Sequence, residues 1–285
     1  MKQLTLIVFL AIAVPFSMAS KNKDKPTLLV GFYGGINFTQ PTAITSHHVN
    51  TSLFGNPTYY GKEYNSTGSN IGNQFGFVMF YPAFGNLHVG LLPSYSGYKY
   101  TYKTQQNWNE TSGATLLNTT EHTQKLRYFE IPAVVRYYIG TAKVKPYVEG
   151  IISYGLLLNA NKTADTEYTR TNGSYSSVVQ NTSLKSDYSN SYIKSKFDIG
   201  FGGGISYDFN QIIIMLGASY TQGLHHINNE KNRYANDLFV GSTYDVQDNL
   251  NLNAIKVNLS LVFPINKITK RSEVECNYFR KSRKK

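Results

Sequence analysis

The sequence predicts an all-β fold: a single eight-stranded antiparallel up-and-down transmembrane β-barrel, with short periplasmic turns and four long extracellular loops. Three observations predict it. Eight runs alternate apolar residues with small or polar ones at period two. The connections between them are alternately short and long. No stretch approaches the 18 consecutive apolar residues of a membrane helix.

The start of the chain reads as an export address. Met1-Lys2-Gln3 is a short positive opening, Leu4 to Val14 is an apolar run broken by Thr5, and Pro15 to Ala19 supplies small residues for cleavage after Ala19. The expected division is a signal peptide at 1–19, an N-terminal periplasmic segment at 20–26, the barrel at 27–263 and a basic periplasmic tail at 264–285.

The strands are expected near 27–38, 71–82, 86–103, 123–139, 145–159, 194–209, 212–226 and 251–263. The sixth shows the pattern plainly. Phe197, Ile199, Phe201, Ile205, Tyr207 and Phe209 share one face, and Asp198, Gly200, Gly202, Gly204, Ser206 and Asp208 share the other. Many of these runs exceed the ~9–11 residues a tilted strand needs to cross a bilayer. Tight connections fall at Pro82 to Asn86, Gly140 to Val144 and Asn210-Gln211. Long polar ones fall at 39–70, 104–122, 160–193 and 227–250.

In a barrel wall the apolar face meets lipid and the polar face fills the interior. The apolar faces carry almost no charge, whereas Glu130, Arg136, Glu149, Asp198, Asp208 and Lys256 lie on the opposite faces. The reverse arrangement, a soluble lipocalin-like barrel, stays open at this point. The 23 Tyr and 16 Phe are expected to build the lipid-facing wall, with Tyr98, Tyr100 and Tyr102 in an outer aromatic girdle.

Several segments resemble the PorT family of outer-membrane β-barrels from Bacteroidetes. Leu126 to Tyr138, LRYFEIPAVVRYY, is similar to that family's YLEIPLLLKYY stretch. Lys145 to Gly150, KPYVEG, resembles its KPYVFAG. Asp198 to Gly204, Tyr220 to Ile227 and the opening Gly31 to Phe38 follow its other motifs in order. Two departures stand out: Pro93 to Gly97 lacks the family's Glu, and Ala218-Ser219 replaces an Arg before the strand's Tyr. The resemblance implies an eight-stranded outer-membrane barrel, and one member takes part in protein secretion and gliding.

A tight turn at 141–144 pairs Tyr138 with Tyr147 and Arg136 with Glu149, so an Arg136–Glu149 ion pair is expected in the interior. His47-His48 and His225-His226 are expected near the outer rim. Adjacent histidines in a strand point to opposite faces, so neither pair alone makes a metal or catalytic site. Gly202-Gly203-Gly204 reads as close packing within a strand. No catalytic motif stands in its required context. The lone cysteine, Cys276, excludes a disulfide framework and is expected to be a free thiol in the tail.

The net charge of +11 does not point to nucleic acid. The tail from 264 holds eight Lys/Arg against Glu273 and Glu275, and most of the remaining excess precedes residue 27. The expected function is that of a non-enzymatic scaffold or accessory acting through loops and partners, in protein secretion or surface assembly. The alternatives are a small barrel enzyme acting on lipid or peptide at the outer rim, or a surface adhesin or receptor. No cofactor or metal is expected. The expected partners are outer-membrane lipid and a periplasmic or secretion-system protein.

Overall fold

A computed structural model describes residues 28–47, 58–65, 70–110, 112–209, 211–234 and 245–265. The expected signal peptide, the 20–26 segment, His48 and the tail with Cys276 lie outside the described residues.

Eleven strands follow one another in this part of the chain: β1 Leu29–Thr45, β2 Thr58–Tyr64, β3 Ile71–Phe84, β4 Leu87–Leu91, β5 Ser94–Asn109 and β6 Thr115–Tyr138, then β7 Val144–Asn172, β8 Tyr175–Asp187, β9 Ser195–Asp208, β10 Ile213–Gly223 and β11 Asn249–Pro264. All pair antiparallel. The pairings run β1–β3–β5–β6–β7–β9–β10–β11 and back to β1, a ring through eight strands.

The third expected run appears as two strands, β4 and β5. Both keep one register on β6, with Leu91 opposite Ala133 and Ser94 opposite Glu130. They are halves of one strand, interrupted at Leu92-Pro93. Pro93 and Pro132 face this gap, and neither has an N–H to give to the ladder.

Two expected loops are mostly strand. β5 and β6 stay paired as far as Asn109 opposite Thr115, so the connection shrinks to residues 110–114. β7 runs on to Asn172, turns through Gly173 at φ +56°, and returns as β8. These extensions are largely polar on both faces but rich in threonine, whose branched Cβ suits a strand. Apolar alternation marks only the part of each strand that has a dry side.

A bulge marks the change. On β6 and β7 the register slips between Arg127 and Tyr128, opposite Asn159 and Leu157. Below it the exposed residues are apolar: Phe129, Ile131, Val135 and Tyr137 on β6, and Val148, Ile152, Tyr154 and Leu156 on β7. Above it they are Arg127 and Lys125, with Asn159 and Asn161 half-buried beside them. The extra residue, Leu158, switches the outward parity of β7 from even to odd.

The apolar faces point outward, as expected. Phe32, Phe75, Phe77, Phe201 and Ile205 are exposed, while Glu130, Arg136, Glu149, Asp198 and Lys256 are buried. The tyrosine expectation is corrected. Tyr98, Tyr100 and Tyr102 are 1–2% exposed and pack in the interior, together with Tyr128, Tyr188 and Tyr192. A buried phenol favours a site with a hydrogen-bond partner, and the interior supplies Glu130 to Tyr98, Tyr192 to Tyr100 and Asp245 to Tyr102; phenylalanine needs none, and Phe32, Phe75, Phe77 and Phe201 cover the outside. No helix among the described residues is long and apolar enough to cross a membrane.

Candidate functional site: a filled interior and an outer sheet

Among the described residues, the interior holds three charged layers, each with as many cations as anions. The first lies toward the short turns. Arg136 sits opposite Glu149 in the β6–β7 ladder, and its Nη2 and Nε reach Glu149 Oε2 at 2.6 and 2.9 Å. The guanidinium lies between the rings of Phe80 and Tyr147, 4.2 and 4.0 Å from their centroids. Here the expected ion pair is present, held by aromatic faces that exclude water. Glycine makes room for one of those rings. A Cβ at Gly204 would lie 2.6 Å from the Tyr147 hydroxyl, and one at Gly217 would strike the same oxygen.

The second layer centres on Glu130, which is fully buried. One carboxylate oxygen meets Lys196 Nζ at 2.5 Å and accepts from the Tyr98 hydroxyl at 2.6 Å. The other accepts from Ser96 at 2.8 Å and from Lys256 at 3.0 Å. Lys196 also meets Asp198 at 2.5 Å. Two carboxylates and two ammonium groups balance, which is what makes their burial tolerable. Sequence alternation placed Glu130, Asp198 and Lys256 on the inner face. It did not single out Lys196, which shares the even-numbered face of β9 with Asp198 and was legible by the same count.

The third layer lies above the bulge. Residues 245–248 are all buried and reach in over the interior. Lys62 of β2 meets Asp248 at 2.8 Å and Asp245 at 3.2 Å, and donates to the Val246 carbonyl. The hydroxyls of Tyr64 and Tyr102 donate to Asp248 and Asp245 at 2.6 and 2.5 Å. Lys162 of β7 lies 3.6 Å from Asp245. Burial pushes the Asp245 carboxyl up, but Lys162 and Lys62 outweigh it and hold it down at about 2. Apart from Tyr102, these residues fell in segments expected to be loop, so no parity count reached them.

The described rim histidines each have a partner other than a histidine. His47 donates its backbone N–H to Asp248 at 2.8 Å. His225 Nε2 lies 3.2 Å from the Ser195 carbonyl, and His226 lies 3.7 Å from Glu230. Among the described residues, no three His, Cys, Asp or Glu side chains gather as metal ligands would.

Outside the interior, β5, β6, β7 and β8 continue as a sheet beyond the apolar belt. One row of directly opposed residues crosses it: Glu63, Lys103, Glu121, Asp165 and Ser183. Lys103 meets Glu121 at 3.7 Å, and Arg170 ties β7 to Glu110 at 2.6 Å. The sheet ends at β8, which pairs with β7 alone among the described strands. Almost every residue of β8 is exposed, Tyr175, Val178 and Val179 among them.

A closed antiparallel ring with an apolar exterior and a charged, filled interior is how a strand protein sits in lipid. The family model described as "Outer membrane protein beta-barrel domain" matches residues 18–229. The chain belongs to that family. It is therefore a β-barrel-like protein of the bacterial outer membrane. The matched region ends before β11, the strand that closes the ring in the structure. Among solved structures, the chain is similar to Neisserial surface protein A, at 12% identity and a TM-score of 0.35, covering 85% of this chain and 99% of that one. It is also similar to Ail, the attachment invasion locus protein of Yersinia pestis, at 10% identity and a TM-score of 0.30, covering 83% and 99%. No curated protein matches the chain.

Proposed function

We propose that this outer-membrane protein is a non-enzymatic scaffold or accessory, exported by its signal peptide, that works through its extramembrane sheet. The proposal includes membership of the PorT branch and a role in protein secretion or surface assembly. One observation carries it: the strands of the ring continue as a sheet that ends in the largely exposed strand β8. An edge strand presents unpaired backbone N–H and C=O groups to an extended partner. The filled interior supports the same reading, because three neutral side-chain layers oppose diffusion of solutes.

The exposed Tyr175, Val178 and Val179 favour a second reading, a surface adhesin or receptor using the same hairpin. Crosslinking on intact cells separates the two. A scaffold captures an envelope protein of its own cell, and an adhesin captures a molecule from an added surface. In either case, replacing residues 163–185 by a short turn removes the capture and leaves heat-modifiable gel migration intact. Capture unchanged by that deletion contradicts both.

A further inference from the structure

The outward face of β5 and β6 changes chemistry in a single step. Tyr95 and Phe129, opposite each other, close the apolar belt. The next outward residues are Gly97 opposite Arg127, and Lys99 opposite Lys125. Lys125 and Arg127 are exposed and Lys99 is half-buried. Like charges directly opposite in an antiparallel pair repel. Among the described residues none of the three cations meets a carboxylate at ion-pair distance. Their row continues through Asn161 to Asp187 on β8. That carboxylate already accepts the Ser189 N–H at 2.8 Å.

On β1 and β7 the corresponding positions beyond the belt are Gln40, Asn159 and Asn161, all uncharged. Lys194, exposed just before β9, donates to the Ser189 carbonyl at 3.4 Å. Three cations therefore stand together in two adjacent rows on β5 and β6, roughly 7–14 Å along the strands from the last aromatic pair.

We propose that Lys99, Lys125 and Arg127 form a site for a phosphate-bearing anionic lipid headgroup of the outer leaflet. The occupant follows from position and charge. Acyl chains cover Phe129, Ile131 and Tyr95, so the headgroups of those same lipids lie against the next two rows. Arg127 offers a planar fork suited to phosphate, and two ammonium groups add point charges beside it. A bound phosphate relieves the Lys99–Lys125 repulsion that the fold otherwise retains.

The test uses the full-length protein refolded in nanodiscs of zwitterionic lipid with a minor fraction of a phosphorylated glycolipid. Retained glycolipid is counted by native mass spectrometry. The wild type is expected to retain the phosphorylated form over its dephosphorylated counterpart. Each cation removed is expected to weaken retention about fivefold, as for basic residues at anionic membrane surfaces. Lys99→Gln/Lys125→Gln/Arg127→Gln should then abolish it, whereas Lys143→Gln/Lys145→Gln, at the opposite end, should leave it unchanged. Heat-modifiable migration checks folding. If the triple variant does not fold, Lys125→Gln alone, at an exposed position, should lose about fivefold, and Lys125→Arg should lose nothing. Equal retention of both glycolipids, or retention unaffected by the Gln substitutions, overturns the proposal. Displacement by millimolar inorganic phosphate also overturns it, by making the site one for a free anion.

Discussion

β6 and β7 each live in two surroundings, and the contrast between their halves explains most of the molecule. Below the bulge at Arg127/Tyr128, they alternate apolar residues outside with charged or aromatic residues inside. Above it, polar residues outside alternate with an inner face of polar residues joined by Leu126, Ala160 and Ala164. The hydrogen-bond ladder is continuous across both. The backbone needs its partners in either setting, whereas the side chains answer to what lies outside. In the lower half, stability rests on the second and first charged layers, sealed from water. In the upper half it rests on the third layer, on the buried cluster around Tyr100, Leu126, Tyr192 and Leu252, and on exposed pairs.

The largest effect is expected at Glu130. Glu130→Ala leaves Lys196 and Lys256 buried without their shared carboxylate, at a cost of about 3–5 kcal/mol. Urea unfolding of the refolded protein measures it. A loss under 1 kcal/mol would mean that water reaches this layer and that the two halves differ less than described.

Arg136→Ala comes next. It removes both donors to Glu149 Oε2 and the filling between Phe80 and Tyr147, and is also expected to cost about 3 kcal/mol. Arg136→Lys should recover only part of this, because a lysine cannot keep both the fork and the ring stacking.

Asp245 sharpens the comparison through pH. Its folded carboxyl is held at about 2, below the ordinary 3.8. A depressed acid contributes stability that is fully present above its unfolded value and is lost as pH falls from about 4 toward 2. Asp245→Asn should flatten that part of the pH–stability curve and cost about 1–3 kcal/mol at neutral pH. Protection of residues 245–248 from hydrogen exchange should fall with it. An acid limb of unchanged slope in Asp245→Asn would contradict the assignment.

The smallest effect belongs to the outer sheet's surface. Lys103 and Glu121 meet at 3.7 Å with both side chains more than 40% exposed. Lys103→Ala should change stability by less than about 1 kcal/mol, and less still in high salt.

The eight-strand plan was legible because lipid imposes an apolar alternation on one face, as in Phe197 to Phe209 and Ile255 to Phe263. The Arg136–Glu149 pair was legible because a tight turn fixes register arithmetically. Three things were hidden, each for a physical reason. Threonine-rich extensions such as 115–123 and 161–172 face water outside and a mostly polar filling inside, where Thr120, His122 and Lys162 are buried, so their strands carry little hydrophobic signal. Leu158 inserts one residue and inverts the outward parity of β7 beyond it. The third layer brings Lys62, Lys162 and Asp245 together across long sequence separations, which no local pattern encodes. The misplaced tyrosines teach a further rule. In a filled interior rich in acceptors, Tyr98, Tyr100 and Tyr102 belong with the polar residues, and aromatic content alone does not mark the lipid face.

The central claim is that β6 leaves the membrane at its bulge with the outward face changing from lipid to water. Spin labels placed one at a time along 121–137, in a Cys276→Ser background reconstituted in lipid, test this by collision with oxygen and with a water-soluble nickel chelate. The account predicts oxygen access at 129, 131, 133, 135 and 137, nickel access at 121, 123 and 125, and little of either at 128, 130 and 134. Oxygen access at the even positions, or lipid contact persisting through 121–125, would contradict it.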